Sequence, residues 1–259
     1  MNLLTSSPVN NISVITAALN EQSHIQKAIS AASHGAGEVI VADGGSQDNT
    51  IELAGLADAK TLNVPYGRAC QLNTAALGAK GDILLFLHAD TILPPHYAKA
   101  VIETVEISGF SAGAFRLTID SNALGVRLIE KAVNFRSGLL KLPYGDQSLF
   151  MTKDTFLRIG GFADMPIMED FEMVKRLQRR GRVITISKSV KTSARRWLQL
   201  GVLRTTIVNQ LVIAGFKIGI SPLKLAGFYR NQKKRYHKIK SKRKDVQNEP
   251  TLLRTERSR

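Results

Sequence analysis

A doubly wound, mostly parallel α/β sheet is the fold this sequence predicts. Three observations point to it. Four short strand-like segments precede Asp90, three of them continuous apolar, β-rich runs, and a stretch suited to a helix separates each from the next. Carboxylates follow three of those runs. Beyond Gly109 the pattern changes to polar–apolar alternation, the mark of antiparallel strands.

Ile12 to Thr16 (ISVIT) is continuously apolar, as in a strand covered on both faces. A helix is expected from Glu21 to Ser33. Glu38 to Ala42 (EVIVA) is the second strand, ending in Asp43-Gly44-Gly45-Ser46, and a helix starts near Ser46 or Asp48. Lys60 to Val64 is a short third strand, Gly67 to Ala79 a helix, and Ile83 to Leu87 (ILLFL) the fourth strand, followed by His88-Ala89-Asp90. Further on, Ser111 to Asp120 reads as an antiparallel strand, Asn122 to Gly138 as a helix and Gln147 to Thr152 as a strand. Glu169 to Arg180 is a helix stopped by Gly181, and Val183 to Ile186 is a strand. From Trp197 to Gly219, Leu200, Leu203, Ile207, Leu211, Ala214 and Ile218 recur at helical spacing. Only twelve uncharged residues separate Arg204 from Lys217, too few to span a bilayer. The stretch is an amphipathic helix that is interfacial or packs on the core, the latter being the plainer reading.

Composition narrows the classes. The 259 residues are 44% hydrophobic and 22% charged, which excludes wholesale disorder, collagen and a polytopic membrane protein. A single cysteine, Cys70, excludes a disulfide framework and a Cys-rich zinc site, and reads as a small buried hydrophobe. The N-terminal MNLLTSSPVNN lacks the basic and apolar regions of a signal peptide, so a cytoplasmic setting is the default. The net charge is +15 and the pI about 10.1. From Asn231 to Arg259, eleven Lys and Arg face three Asp and Glu, a net +8. That tail reads as disordered, and either as merely solvated or as a patch for an anionic membrane surface. No aromatic interleaving supports nucleic acid as its partner.

Ligands of open parallel sheets bind beyond the carboxyl ends of the strands. Glu21, Asp43 and Asp90 follow strands one, two and four there. Each alone is an ordinary turn former or helix cap. Together they suit a nucleotide, Asp43 accepting from a base imide and Asp90 holding a divalent cation through a hard oxygen. No GxGxxG, GxxxxGK[ST] or GxSxG occurs, which argues against a dinucleotide dehydrogenase, a P-loop NTPase and an α/β-hydrolase.

The ordered series VITAALNE (Val14–Glu21), DGGSQDNT (Asp43–Thr50), GRACQLNTA (Gly67–Ala75), FLHAD (Phe86–Asp90), GGF (Gly160–Phe162) and MEDFEM (Met168–Met173) resembles family 2 inverting glycosyltransferases. The resemblance covers about residues 12 to 200. It implies the Rossmann-like GT-A fold, with an antiparallel acceptor-side extension and C-terminal helices. The HAD variant, YGDQ (Tyr144–Gln147) and RRW through Ser221-Pro222 are similar to a bacterial subgroup associated with arsenosugar biosynthesis. The implied segments are an extension (1–11), the transferase domain (12–195), an amphipathic helical segment (196–230) and the basic tail (231–259).

By that resemblance Ala17, Glu21 and Asp43 would contact the nucleoside of a nucleotide-diphosphate sugar. Arg68 and Asn73 would lie near its phosphates or sugar. Asp90 stands at the second carboxylate of the metal-binding DXD motif, and the cation would be Mn2+ or Mg2+. Asp170, with Glu169 beside it, would be the general base. Two departures matter. Gly44 stands where a second aspartate is usual, and His88 replaces the first DXD carboxylate. His88 is either a manganese ligand or ribose donor, or a packed histidine. Asp146 and Gln147 either face the acceptor or form an ordinary turn. Arg195 or Arg196 is a candidate phosphate clamp, and Trp197 an acceptor platform or simple packing.

The expected activity is transfer of one sugar to an acceptor hydroxyl. The alternatives are transfer to a lipid-carrier phosphate at the inner membrane surface and a catalytically weakened nucleotide- or nucleic-acid-binding domain. A sugar nucleotidyltransferase is disfavoured, because AALNEQSH stands where its glycine-rich basic loop would be.

Overall fold

The computed structural model describes residues 11–231. Residues 1–10 and 232–259, which hold nearly all of the expected extension and of the basic tail, lie outside the described residues.

The first half is a βα alternation: β1 (Ile12–Ala18), α1 (Ile25–Ser33), β2 (Glu38–Asp43), α2 (Thr50–Leu56), β3 (Lys60–Asn63), α3 (Arg68–Gly78) and β4 (Ile83–His88). Then come β5 (Thr91–Ile92), α4 (Tyr97–Val105), β6 (Phe110–Asp120), α5 (Leu124–Leu139), β7 (Phe150–Thr152), α6 (Lys153–Arg158), α7 (Glu169–Gln178) and β8 (Arg182–Ser193). The described chain ends in α8 (Arg195–Leu200), α9 (Val202–Lys217) and a further helix, α10, over 222–231.

The strands form one sheet in the order β3-β2-β1-β4-β7-β6-β8-β5. β3, β2, β1 and β4 are parallel neighbours, and β7 runs antiparallel between β4 and β6. This is the expected mixed α/β architecture, curled and dominated by parallel pairs. The continuous apolar runs follow from cover on both faces. Along β1, Ile15 enters one core layer with α3, α6 and α7, while Ile12, Val14 and Ala18 enter the other with α1, α4 and Val126 of α5. That period of two splits one sheet into two apolar layers.

The structure corrects several expectations. β6 is antiparallel to β7 but pairs in parallel with β8 along most of its length. Its alternation is confined to the second half, because Ser111 to Phe115 is buried continuously. β8 runs from Arg182 to Ser193, far past Ile186. α1 starts at Ile25, since Glu21 to His24 forms a turn in which Glu21 O accepts from His24 N (2.9 Å) and Ile25 N (3.0 Å). α2 starts at Thr50, because Asp43 and Asp48 spend their carboxylates on the preceding turn. α4 and α6 are not among the expected elements. Cys70 is half-buried against the first layer rather than enclosed.

The single helix expected over Trp197 to Gly219 is two, broken at Gly201, whose φ of +85° suits glycine. Its presumed core stripe does not pack. Leu203, Ile207, Leu211 and Ile218 are exposed, and α9 is buried through Thr205, Val212, Ile213 and Gly215 instead.

Candidate active site

The parallel pairing carries β1, β2 and β4 to a common edge, so the segments after Ala18, Asp43 and His88 emerge together. Ala17 lies on that edge, in register with Ala42 on one side and His88 on the other. Glu21 and Asp90 are joined through Arg195, the first residue of α8. Its Nη2 donates to both Glu21 carboxylate oxygens (2.8 and 3.0 Å) and lies 3.9 Å from Asp90 Oδ2. Glu21 is further fixed by its own N–H donating to Thr50 Oγ1 (2.8 Å).

Asp43 is buried and turns back on its own loop. Its Oδ2 accepts from Gly45 N (2.8 Å) and Ser46 N (2.7 Å), and its Oδ1 from the Ser46 hydroxyl. The carboxylate therefore shapes the Asp43–Ser46 loop.

A second group gathers where α7 begins. Met168, at a φ of +72°, turns the chain so that Glu169 and Asp170 open the helix. A left-handed methionine is strained, and such strain collects at functional turns. Asp170 Oδ2 accepts from Gly145 N (2.7 Å) and its Oδ1 from Phe171 N (2.7 Å). Both oxygens keep a lone pair for a further donor. Glu169 is buried and pairs with Arg68 Nε at 3.1 Å. Burial, then the neighbouring Asp170, pushes the Glu169 carboxyl up despite Arg68.

His88, the last residue of β4 and two before Asp90, lies against the second group. A Cβ added to Gly145 would lie 2.9 Å from Asp170 Oδ2 and 3.3 Å from His88 Nε2, so three elements meet around that glycine. His88 Nε2 is buried without a hydrogen-bond partner. Burial, with Arg68 and Arg196 nearby, holds the imidazole well below the usual histidine range, so it is neutral. Asp146 Oδ1 is likewise buried and unpartnered. Burial pushes its carboxyl up to about 6; Asp170 adds to the shift, while Arg136 and Arg196 oppose it. Arg136 stacks 3.4 Å above the Tyr144 ring, which itself packs edge-on against Phe171.

Some predicted residues do other work. Asn73 donates to Phe162 O (2.8 Å) and accepts from Phe162 N (2.8 Å). Its amide holds the Gly160–Phe162 turn. Gln147 is buried, donating to Phe115 O (2.9 Å) and Ser137 Oγ (3.0 Å), so it does not face an acceptor. Trp197 is half-buried against the second apolar layer, which is packing rather than an open platform. Arg196 is exposed and lies 5.4 Å from the Tyr229 ring. Sequence reasoning missed Gly145, Arg136 and the Glu21–Arg195 bond. For Gly145 the available signal was a glycine inside YGDQ, where an added Cβ crowds the side chains of Asp170 and His88.

Among the described residues, no three His, Cys, Asp or Glu side chains cluster into a metal cage. The donors near the end of β4 are the partly exposed Asp90 carboxylate and the neutral, unpartnered His88 Nε2. One hard oxygen and one imidazole nitrogen are donors that a divalent cation accepts.

Residues 13–163, more than half of the chain, match the family described as Glycosyl transferase family 2. No curated protein sequence matches the chain. Solved structures match its fold. Glucosyl-3-phosphoglycerate synthase from Mycobacterium tuberculosis, in complex with Mn2+, UDP and glucosyl-3-phosphoglycerate, aligns at a TM-score of 0.55 and 21% identity. The alignment covers 78% of this chain and 79% of that one. A mannosyltransferase from Pyrobaculum calidifontis with GDP-Man and Mn2+ aligns at 0.56 and 20%, over 70% of this chain and 56% of that one. TarS 1-349 of S. aureus with UDP aligns at 0.56 and 14%, over 71% and 60%.

Proposed function

The chain belongs to glycosyltransferase family 2, and from that premise we propose that it transfers a single sugar from a nucleoside-diphosphate sugar to an acceptor hydroxyl with inversion. The observation that carries this reading is the meeting of Asp170, Gly145 and His88 beside the Glu21–Arg195–Asp90 bridge, beyond the strand ends. The UDP and GDP-Man bound by the structural neighbours support the donor class. The transfer domain is residues 12–195, with 196–230 as its helical supplement.

The chemistry follows from the groups in place. Inverting displacement needs one base opposite the leaving group and no covalent enzyme intermediate. Asp170 takes the proton of the acceptor hydroxyl as that oxygen attacks the anomeric carbon. The bond from that carbon to the diphosphate oxygen breaks, and the diphosphate leaves with the electron pair. The Gly145 N–H fixes the carboxylate, so no reorientation is needed at the moment of transfer. Ala17, Glu21 and the Asp43 loop flank the nucleoside, and Arg68, held by Glu169, supplies positive charge near the sugar and phosphates. Asp90, with His88 beside it, would hold Mn2+ or Mg2+, which when bound stabilises charge on the leaving diphosphate. Asp146 lines the acceptor side. The assignment to the subgroup associated with arsenosugar biosynthesis rests on the HAD, YGDQ and RRW sequence features.

Asp170→Asn tests the base. Transfer should fall at least about a hundredfold, while the thermal shift produced by the donor nucleotide persists. An active variant refutes the assignment. A thermal-shift panel with UDP, GDP, CDP and dTDP, with and without manganese, identifies the donor. One nucleotide should stabilise the protein, and Asp90→Ala should remove the manganese-dependent part. No shift with any of them refutes the donor site.

A further inference from the structure

Most of the exposed large apolar side chains among the described residues lie on α5, α8, α9 and the segment after them. On α9, Leu203, Ile207 and Leu211 repeat every fourth residue and are 74%, 49% and 54% exposed. With Val202, Val208 and Phe228 they line a groove of about 720 Å³. α5 lies alongside, where the Cβ position of Gly125 is 3.2 Å from Val202 Cγ1, and it starts with the exposed Leu124 and Leu128. An apolar face of this extent marks a binding surface.

The charge around it identifies the partner. No Asp or Glu occurs from Met173 to Lys244. Arg204 lines the groove, and Lys217, Lys224 and Arg230 lie on or beside α9 and α10. On α5, Arg127 and Lys131 accompany a single acid, Glu130, whose Oε2 turns back to accept from Ile119 N (2.9 Å) and Arg127 Nη1 (2.8 Å). The sequence beyond the face adds its net +8. A second copy laid on this face would oppose one basic rim to another, with no acid on α8 to α10 to compensate. An anionic bilayer supplies both halves of the match, an acyl boundary for Leu, Ile and Phe and phosphates for Lys and Arg.

We propose that the α9–α10 groove, with the start of α5, docks on an anionic lipid bilayer. The contact is peripheral, since among the described residues no helix is long and apolar enough to cross a membrane. The opposite side of α9 faces the catalytic region. Phe216 packs edge-on at 5.7 Å against Phe171, next to Asp170. Docking therefore sets the acceptor side close to the headgroups, a consequence that rests on the transfer reading; lipid binding itself does not.

The test is co-sedimentation of the full chain with vesicles of phosphatidylcholine alone or mixed equally with phosphatidylglycerol, at low and high salt. The wild type should pellet with the mixed vesicles, and less so at high salt. Leu203→Ser with Leu211→Ser should lower the partition coefficient at least about tenfold without lowering the melting temperature. Three outcomes overturn the proposal. The wild type fails to pellet with anionic vesicles; the double variant binds as the wild type does, which assigns lipid binding to the tail; or the double variant dissociates a dimer of the wild type that does not bind vesicles, which assigns the face to a second copy. None depends on transfer activity, so failure here is separable from failure of the proposed reaction.

Discussion

Gly145 and Asp170 meet through one N–H···O bond across 25 residues of sequence, and a single methyl group is enough to disturb it. Gly145→Ala should push the Asp170 carboxylate aside and cut kcat about 10- to 100-fold, with the nucleotide thermal shift unchanged. Steady-state kinetics beside melting curves separate this from a folding defect. Asp146 predicts a pH effect on stability. Its carboxyl titrates near 6 in the folded protein and near 3.8 unfolded. Its protonated form therefore favours folding below about 4, and that contribution is lost as pH rises through 6. Asp146→Asn should stabilise the protein at pH 8 by on the order of 2 kcal/mol, the gain vanishing near pH 4. Equal gains at both values would refute the shift. At this scale the positions of the carboxylates were legible, since Glu21, Asp90 and Asp170 stand beside strand or helix ends. The amides were not. Asn73 serves a carbonyl 89 positions away, and residue type reveals capacity for hydrogen bonds, not the partner that uses it.

Periodicity predicted the helices and strands of the first half because β1, β2 and β4 are covered on both faces and each helix on one, while the edge strand β3 is mostly exposed. It also identified an apolar stripe on α9. Spacing cannot say whether such a stripe meets the core or water, and here the stripe faces out while Val212 and Ile213 pack in. β8 was read short for a related reason. Its outer half is rich in Lys, Ser and Thr, yet it pairs with β6 from Arg116 to Asp120 through backbone groups that leave no mark on composition. The Gly160–Phe162 turn offers an element-scale check. Asn73→Ala removes both bonds that hold it and should cost about 1 to 3 kcal/mol in denaturant melts, while the donor-nucleotide shift is retained. A variant of full stability that no longer responds to nucleotide would return Asn73 to the binding surface.

Across the whole molecule, the parallel half of the sheet was readable from sequence and its closure was not. The order of the last four strands depends on contacts between segments far apart, with β8 lying between β6 and β5. Charge is as unevenly laid out as topology, since the stretch without acids covers α8 to α10 and continues past them. The bond between Glu21 and Arg195 joins positions 174 residues apart, and this bears on how the protein is made. A nascent chain leaves the ribosome from its N-terminus, so both carboxylates of the Glu21–Arg195–Asp90 bridge are exposed well before the guanidinium that links them has been synthesised. A bridge of this construction forms only once Arg195 has been synthesised and has emerged, and a chain released before that point carries its sheet edge with the link unmade.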